Sequence, residues 1–207
     1  MGPPRRSSEQ RRVELAEAAL DIIAKRGIAA LTTRALAEHV GLTTGALFRH
    51  FPSLDELLIA VVARVDTVLE QTYPPPELPA AERLWRFVEA RSAAVGMRRG
   101  ILGLVLSEQF RLALPPSGSR RLAAAVRRTR EFISETLAEA QRAGDVRDDT
   151  PAEALTEIVV GTVLALALAP GAPVGPAASG AVRDALERLL RPQEAAPGER
   201  RPRPRSA

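Results

Sequence analysis

Between Leu31 and Phe51 the chain reads LTTRALAEHVGLTTGALFRHF, a stretch rich in hydrogen-bond donors set around two unusually small residues. Thr33, Arg34, Thr43, Thr44, Arg49 and His50 offer hydroxyl, guanidinium and imidazole groups, while Gly45 and Ala46 add almost no bulk. Hydroxyls and free N–H groups at a helix start suit a phosphate oxygen. A guanidinium can donate twice to guanine O6 and N7, and small residues let backbone and methyl groups approach base edges, thymine methyls included. Each residue also has a plainer reading. Arg34 could be a solvated charge at a helix end, Thr43 is first of all a cap, and Gly45 could stand where it does by chance.

Positioning such groups needs two short helices and a tight turn. Thr32 or Thr33 can cap the first helix, and Leu36, Ala37 and Val40 give it an apolar face. Gly41 is the residue best able to take a positive φ and end it. Thr43 can cap the second helix, expected through His50, with Leu47 and Phe51 as core residues. Helix, glycine turn and second helix in about twenty residues is the helix-turn-helix pattern of major-groove readers.

Composition narrows the alternatives. The 207 residues contain no cysteine, which excludes disulfides, thiolate metal sites and cysteine nucleophiles. Both histidines, His39 and His50, fall inside the motif, so the rest of the chain lacks His and Cys ligands, and a transition-metal site there is disfavoured. Ser-His-Asp chemistry is disfavoured for the same reason, and Gly100-Ile101-Leu102-Gly103 lacks the strand context of a phosphate loop. No enzyme activity, metal or cofactor is expected. The net charge of +4 resides in the tails: residues 1–71 balance nine basic against nine acidic side chains. Charge alone is therefore weak support for a nucleic-acid partner. The N-terminus lacks the apolar stretch of a secretory signal, and the run Ile158 to Ala169 is too short for a bilayer. A soluble cytoplasmic protein is expected, with no membrane partner.

Along the chain, residues 1–7 read as a disordered basic arm with Arg5 and Arg6. Ser7 and Gln10 form a capping box for a helix to about Arg26, with Val13, Ala16, Leu20, Ile23 and Ala24 as its stripe. Ser53 and Glu56 form a second box ahead of a long helix carrying Leu57, Leu58, Val61, Val62, Val65 and Leu69. Tyr73-Pro74-Pro75-Pro76 is a firm break, placing one unit at residues 8–72, with the motif at about 32–51, and another at 79–191. Further helices are expected at Pro79 to Met97, Ile101 to Leu114, from Ser117 or Ser119 to about Ala143, from a Thr150-Pro151-Ala152-Glu153 start to Ala169, and over about 177–191. Pro170 to Gly175 reads as a loop, and residues 192–207 as a disordered basic tail. With no strand signal, the fold is all-α, about nine helices.

Over roughly residues 9–69 the sequence resembles the TetR family of bacterial transcriptional regulators. The resemblance rests on the KRGIAA end of the first helix, on LTTRALAEHVG, and on LTTGALFRHFPS, with Gly41, Gly45, Leu47, Phe48, His50 and Phe51 in the family's order. It implies a three-helix reading head joined by a long fourth helix to a C-terminal helical domain for effector binding and dimerisation. It also implies DNA contacts from Thr33, Arg34, Thr43, Thr44, Gly45, Ala46, Phe48, Arg49 and His50, the last through a ring nitrogen or its backbone N–H. Phe48 stands where the family usually has a tyrosine whose hydroxyl meets a phosphate, leaving apolar contact with sugar or a thymine methyl. Leu54 stands where a phosphate-meeting lysine is common. Phosphate anchoring should then draw on Arg5, Arg6, Arg11 and Arg12, and binding should weaken steeply with salt.

Ile158 to Ala169 is apolar nearly all round, more than one buried face needs. With Val182, Leu186, Leu189 and Leu190 on the last helix, this suggests a homodimer through the last two helices, as the family commonly forms. Gly161, Ala165 and Ala167 would permit close helix approach. The family's ligand pocket would fall among the middle helices, here with Trp85, Phe87, Met97, Phe110 and Phe132 as apolar lining and Glu108 or Gln109 as a polar contact, for a small apolar or amphipathic effector. Ordinary core is the alternative for each. The resulting expectation is a homodimeric repressor, released from a palindromic double-stranded DNA operator by an effector. The alternatives are a DNA-binding architectural or cell-division factor without a small-molecule ligand, and a helical enzyme with an incidental motif.

Overall fold

A computed structural model describes residues 7–97, 107–168 and 176–193, and all of its regular structure is helical. In order these are α1 (Ser8–Arg26), a 3-10 turn (Ile28–Ala30), α2 (Thr33–Val40), α3 (Thr44–Phe48), α4 (Leu54–Glu70), α5 (Ala80–Met97), α6 (Glu108–Ala113), α7 (Pro116–Ala143), α8 (Ala152–Leu168) and α9 (Pro176–Leu190). The expected arm, the start of the 101–114 helix, the 170–175 loop and almost all of the tail lie outside the described residues. So do the side chains of Met97 and Ala167.

Local signals set most helix ends. Ser7 and Gln10 close a full capping box on α1, with reciprocal hydrogen bonds of 3.0 and 3.1 Å. At α4 only half of the expected box forms. The Glu56 N–H donates to Ser53 Oγ (3.2 Å), but the Glu56 carboxylate turns instead to Arg12 of α1, 3.8 Å away. Gly41 ends α2 in the left-handed region at φ +67°, as its position requires. Pro116 opens α7 rather than closing the helix before it. Proline is favoured in the first turn, where its missing N–H would have had no partner anyway, so the helix begins before Ser117. The Thr150 hydroxyl donates to Asp149 rather than serving as the expected cap of α8.

The buried side chains form two clusters. In the first, Leu15, Ala19 and Ile22 of α1 meet Leu36, Leu47, Phe51 and the buried face of α4; Phe110 and Leu114 join from α6, and Leu122 and Ala125 from α7. Val13 and Ala24, placed on the α1 stripe by sequence, stay outside this core, Val13 exposed and Ala24 half-buried. The second cluster joins Leu84, Phe87 and Val88 of α5 to Ile133 and Leu137 of α7, Leu155, Val159 and Val163 of α8, and Leu186 and Leu190 of α9. Helix α4 links the two halves: Val61 and Val65 lie in the first core, while Asp66 holds Arg121 at 2.8 Å and Arg128 at 2.6 Å on α7.

Candidate nucleic-acid interface

The second motif helix is shorter than expected. Its α-helical part covers only Thr44–Phe48, and Arg49 and His50 continue as a turn. Thr43 Oγ1 accepts from the Ala46 N–H at 3.2 Å and caps it; Thr32 does the same for α2 through the Ala35 N–H at 3.0 Å, which leaves the Thr33 hydroxyl uncommitted to capping. A helix this short has little stability of its own, so tertiary contacts must hold it. Leu47 and Phe51, each 2% exposed, anchor it in the first core. Burying two such side chains contributes about 3–6 kcal/mol.

Once those two anchors point inward, the remaining groups face out together. Thr43, Thr44, Gly45 and Arg49 are exposed, Ala46 is half-buried, and Phe48 remains 45% exposed, unusual for a phenylalanine beside a well-packed core. A Cβ built on Gly45 would meet nothing within 4 Å, so packing inside the protein gives no reason for glycine there. Arg34 projects from the first turn of α2 with its side chain 85% exposed and Nε 2.8 Å from Glu38 Oε1. That hydrogen bond and the Glu38 charge raise its pKa, so the guanidinium is fully charged. An exposed pair of this kind is weak and readily exchanged for another acceptor.

Two expectations change. The His50 N–H already donates to the Leu47 carbonyl at 3.0 Å, and its Nδ1 is buried without a partner among the described residues. Any contact from His50 to a ligand therefore falls to Nε2. Arg12, expected to add charge alongside the arm, is a structural strut instead. It donates to the His50 carbonyl, pairs with Glu56, and lies 4.3 Å above the centroid of the Phe51 ring. Arg11 pairs with Glu14 at 2.9 Å, a one-turn surface pair that leaves it able to exchange partners as Arg34 can. Local pattern gave no sign of the Arg12 role, because its partner His50 lies 38 residues away.

The candidates for a ligand pocket are not gathered in one place. Phe110 belongs to the first core and Phe87 to the second; Glu108 and Gln109 are exposed. Trp85 sits toward α9, with the Arg183 guanidinium 6.0 Å from its ring centroid. Phe87 and Phe132 do meet, with centroids 4.9 Å apart, and both pack on Tyr73, which sequence had marked only as part of a break.

Residues 15–61 match the sequence model described as bacterial regulatory proteins, tetR family. Nucleoid occlusion factor SlmA of Haemophilus ducreyi is 31% identical over 67 residues, 32% of this chain and 33% of that protein. The chain thus matches about a third of the length of the curated relatives. Whole-chain likeness comes from solved structures. The ketosteroid transcriptional regulator KstR2 of Mycobacterium tuberculosis aligns with a TM-score of 0.71 at 24% identity, over 87% of this chain and 93% of that one. AibR, in complex with isovaleryl coenzyme A and operator DNA, aligns with a TM-score of 0.73 at 18% identity, over 87% and 97%. At these identities the structural likeness speaks for the fold.

Proposed function

The chain is a member of the tetR family of bacterial regulatory proteins by its N-terminal head, and from that premise we propose that it is a sequence-specific, DNA-binding transcriptional repressor. The observation that carries this is the outward face of α3: Thr43, Thr44, Gly45, Phe48 and Arg49 project together while Leu47 and Phe51 fix the helix from behind. Threonine hydroxyls meet phosphates, Gly45 and Ala46 let base edges come close, and Arg34 reads a guanine from the neighbouring helix. Such a protein works in the bacterial cytoplasm, with the chromosome.

Selection of binding sites from random duplexes with the purified protein tests this directly. The wild type is expected to return a palindrome of two half-sites about one helical turn apart. Arg34→Ala should fold normally and lose about 1–3 kcal/mol of discrimination at one base pair of each half-site. Selection that returns no preferred sequence would sink the proposal, and an unchanged preference in the variant would restrict Arg34 to phosphate.

The working unit is a homodimer. On α8, Leu155, Val159 and Val163 face inward, whereas Ala154, Ile158, Gly161 and Ala165 form an exposed stripe of small and apolar residues. On α9, Val182, Ala185 and Leu189 form another, with Leu189 53% exposed. A Cβ at Gly161 would meet nothing within 4 Å among the described residues. Two adjacent helices with apolar outer faces suit a four-helix interface with a second copy. Ile158→Glu combined with Leu189→Glu, both on exposed positions, is expected to reduce the mass seen by light scattering from twice 22.2 kDa to that of one chain. A wild type that already runs as one chain would remove the dimer from the proposal.

The placement of α4 supports release from DNA by an effector. Its first half is part of the head's core, and its second half is tied to α7 through Asp66 and through Glu70, whose Oε1 lies 2.8 Å from Arg128. An effector that favours a displaced α4 changes the separation of the two α3 helices and so lowers DNA affinity. Its leverage is limited to its differential affinity for the two spacings. The SlmA likeness covers only 67 residues, 32% of this chain, and gives no preference for a ligand-free role.

A further inference from the structure

Arg91 lies on the buried stripe of α5, one turn beyond Phe87, and is 3% exposed. Its guanidinium carbon is 4.8 Å from the centroid of Phe87 and 5.3 Å from that of Tyr73. Among the described residues, its Nε and Nη2 have no hydrogen-bond partner, and neither does Oγ of the adjacent Ser92. Burial pushes the Arg91 pKa below the usual arginine range, an effect that Tyr73 and Glu70 partly offset. The group stays charged nonetheless, because arginine does not give up its proton in proteins. Glu70 acts on it only through its charge, since that carboxylate is hydrogen-bonded to Arg128.

Two turns earlier on the same face, Arg83 shows the contrast. It is also largely buried, and its Nε too has no partner among the described residues, but its Nη2 meets a carboxylate, Glu139 of α7. Arg91 has aromatic faces and, among the described residues, no paired carboxylate. Rings stacked on a guanidinium do not satisfy its in-plane N–H groups, and although the Tyr73 side chain offers Arg91 a hydrogen bond, Nε and Nη2 have no partner among the described residues. A buried charge in that condition is among the least favourable arrangements in a protein, unless an anion completes it.

We propose that Arg91 anchors the effector, and that the effector is an organic carboxylate whose apolar or aryl body lies against Tyr73, Phe87 and Phe132. This rests on the effector-responsive reading given above. The carboxylate accepts from Nε and Nη2 as a bidentate pair, the geometry that a guanidinium edge offers. Tyr73 connects the site to the head: it lies three residues past the end of α4, and its N–H donates to the Glu70 carbonyl at 3.2 Å.

The test compares three probes on the purified full chain by thermal unfolding at matched ionic strength: sodium phenylacetate, phenylacetamide and sodium phosphate, each on the order of 10 mM. Phenylacetate is expected to raise Tm by about 3 °C or more, and the other two by less than about 1 °C. Arg91→Met, similar in length but uncharged, should fold with an unchanged or higher Tm and lose the phenylacetate shift. Arg91→Lys, charged but without the fork, should keep a reduced shift. No shift with phenylacetate, an equal shift with the amide, or a shift retained in Arg91→Met overturns the proposal. So does a full shift from phosphate alone, which would exclude an organic body, or loss of the shift in both variants with a lowered Tm, which would make Arg91 merely structural. Duplex binding measured in parallel separates the two levels. Failure of the anion test with duplex selection intact removes only this inference; a sound anion response without duplex selection removes only the regulatory reading.

Discussion

Gly45→Leu is expected to weaken duplex binding by at least about 100-fold, equivalent to roughly 2.7 kcal/mol, while leaving the protein as stable as before or slightly more so. The two effects have opposite signs for one reason. Inside the chain a new Cβ at this position meets nothing within 4 Å, and leucine is a better helix former than glycine by nearly 1 kcal/mol. Outside the chain, the side chain would stand between α3 and the base edges it must approach. Denaturant unfolding gives the first quantity, and fluorescence anisotropy on the selected operator gives the second. Tight binding by the variant would show that α3 does not enter the groove by this face.

Phe51→Ala should have the larger effect on folding. The ring is almost wholly buried, it anchors the end of α3, and it carries the Arg12 guanidinium on one face. Removing a core phenylalanine costs about 3–5 kcal/mol. For a chain of this size that corresponds to a fall in Tm of roughly 6–20 °C. DNA affinity should fall with it, because α3 is too short to persist without its anchors. A Tm within about 2 °C of the wild type would mean that Leu47 and the caps suffice, and that the Arg12–Phe51–His50 strut is dispensable.

The sequence predicted what depends on neighbours a few residues apart. Ser7 with Gln10, Thr43 ahead of Ala46, and Gly41 after Val40 acted as signals within single turns, and each set a helix end where expected. The periodic apolar positions of α4 all proved buried. Leu47 and Phe51 were legible as core because the family order and helical spacing agree on them. The outward donors of α3 followed from those two anchors. Weaker local signals failed where another group, near or distant, competed for the same atoms. Glu56 left its capping box for Arg12, and the His50 N–H was spent within its own turn.

The all-α class, most helix positions and the anchors that turn the polar face of α3 outward were legible in the sequence, because caps, proline and helical periodicity act over one or two turns. Only tertiary structure decided what Arg12, Phe110, Tyr73 and Arg91 do. Each takes its role from at least one partner outside its own element, dozens of residues away for Arg12 and Phe110, and periodicity marks a residue as inward-facing without saying which core it enters or what lies opposite. Arg91 shows the limit most clearly. The structure places it on one stripe with Leu84, Phe87 and Val88, and that no carboxylate among the described residues pairs with it depends on how α5 packs against α7 and on Arg128 engaging Glu70 first.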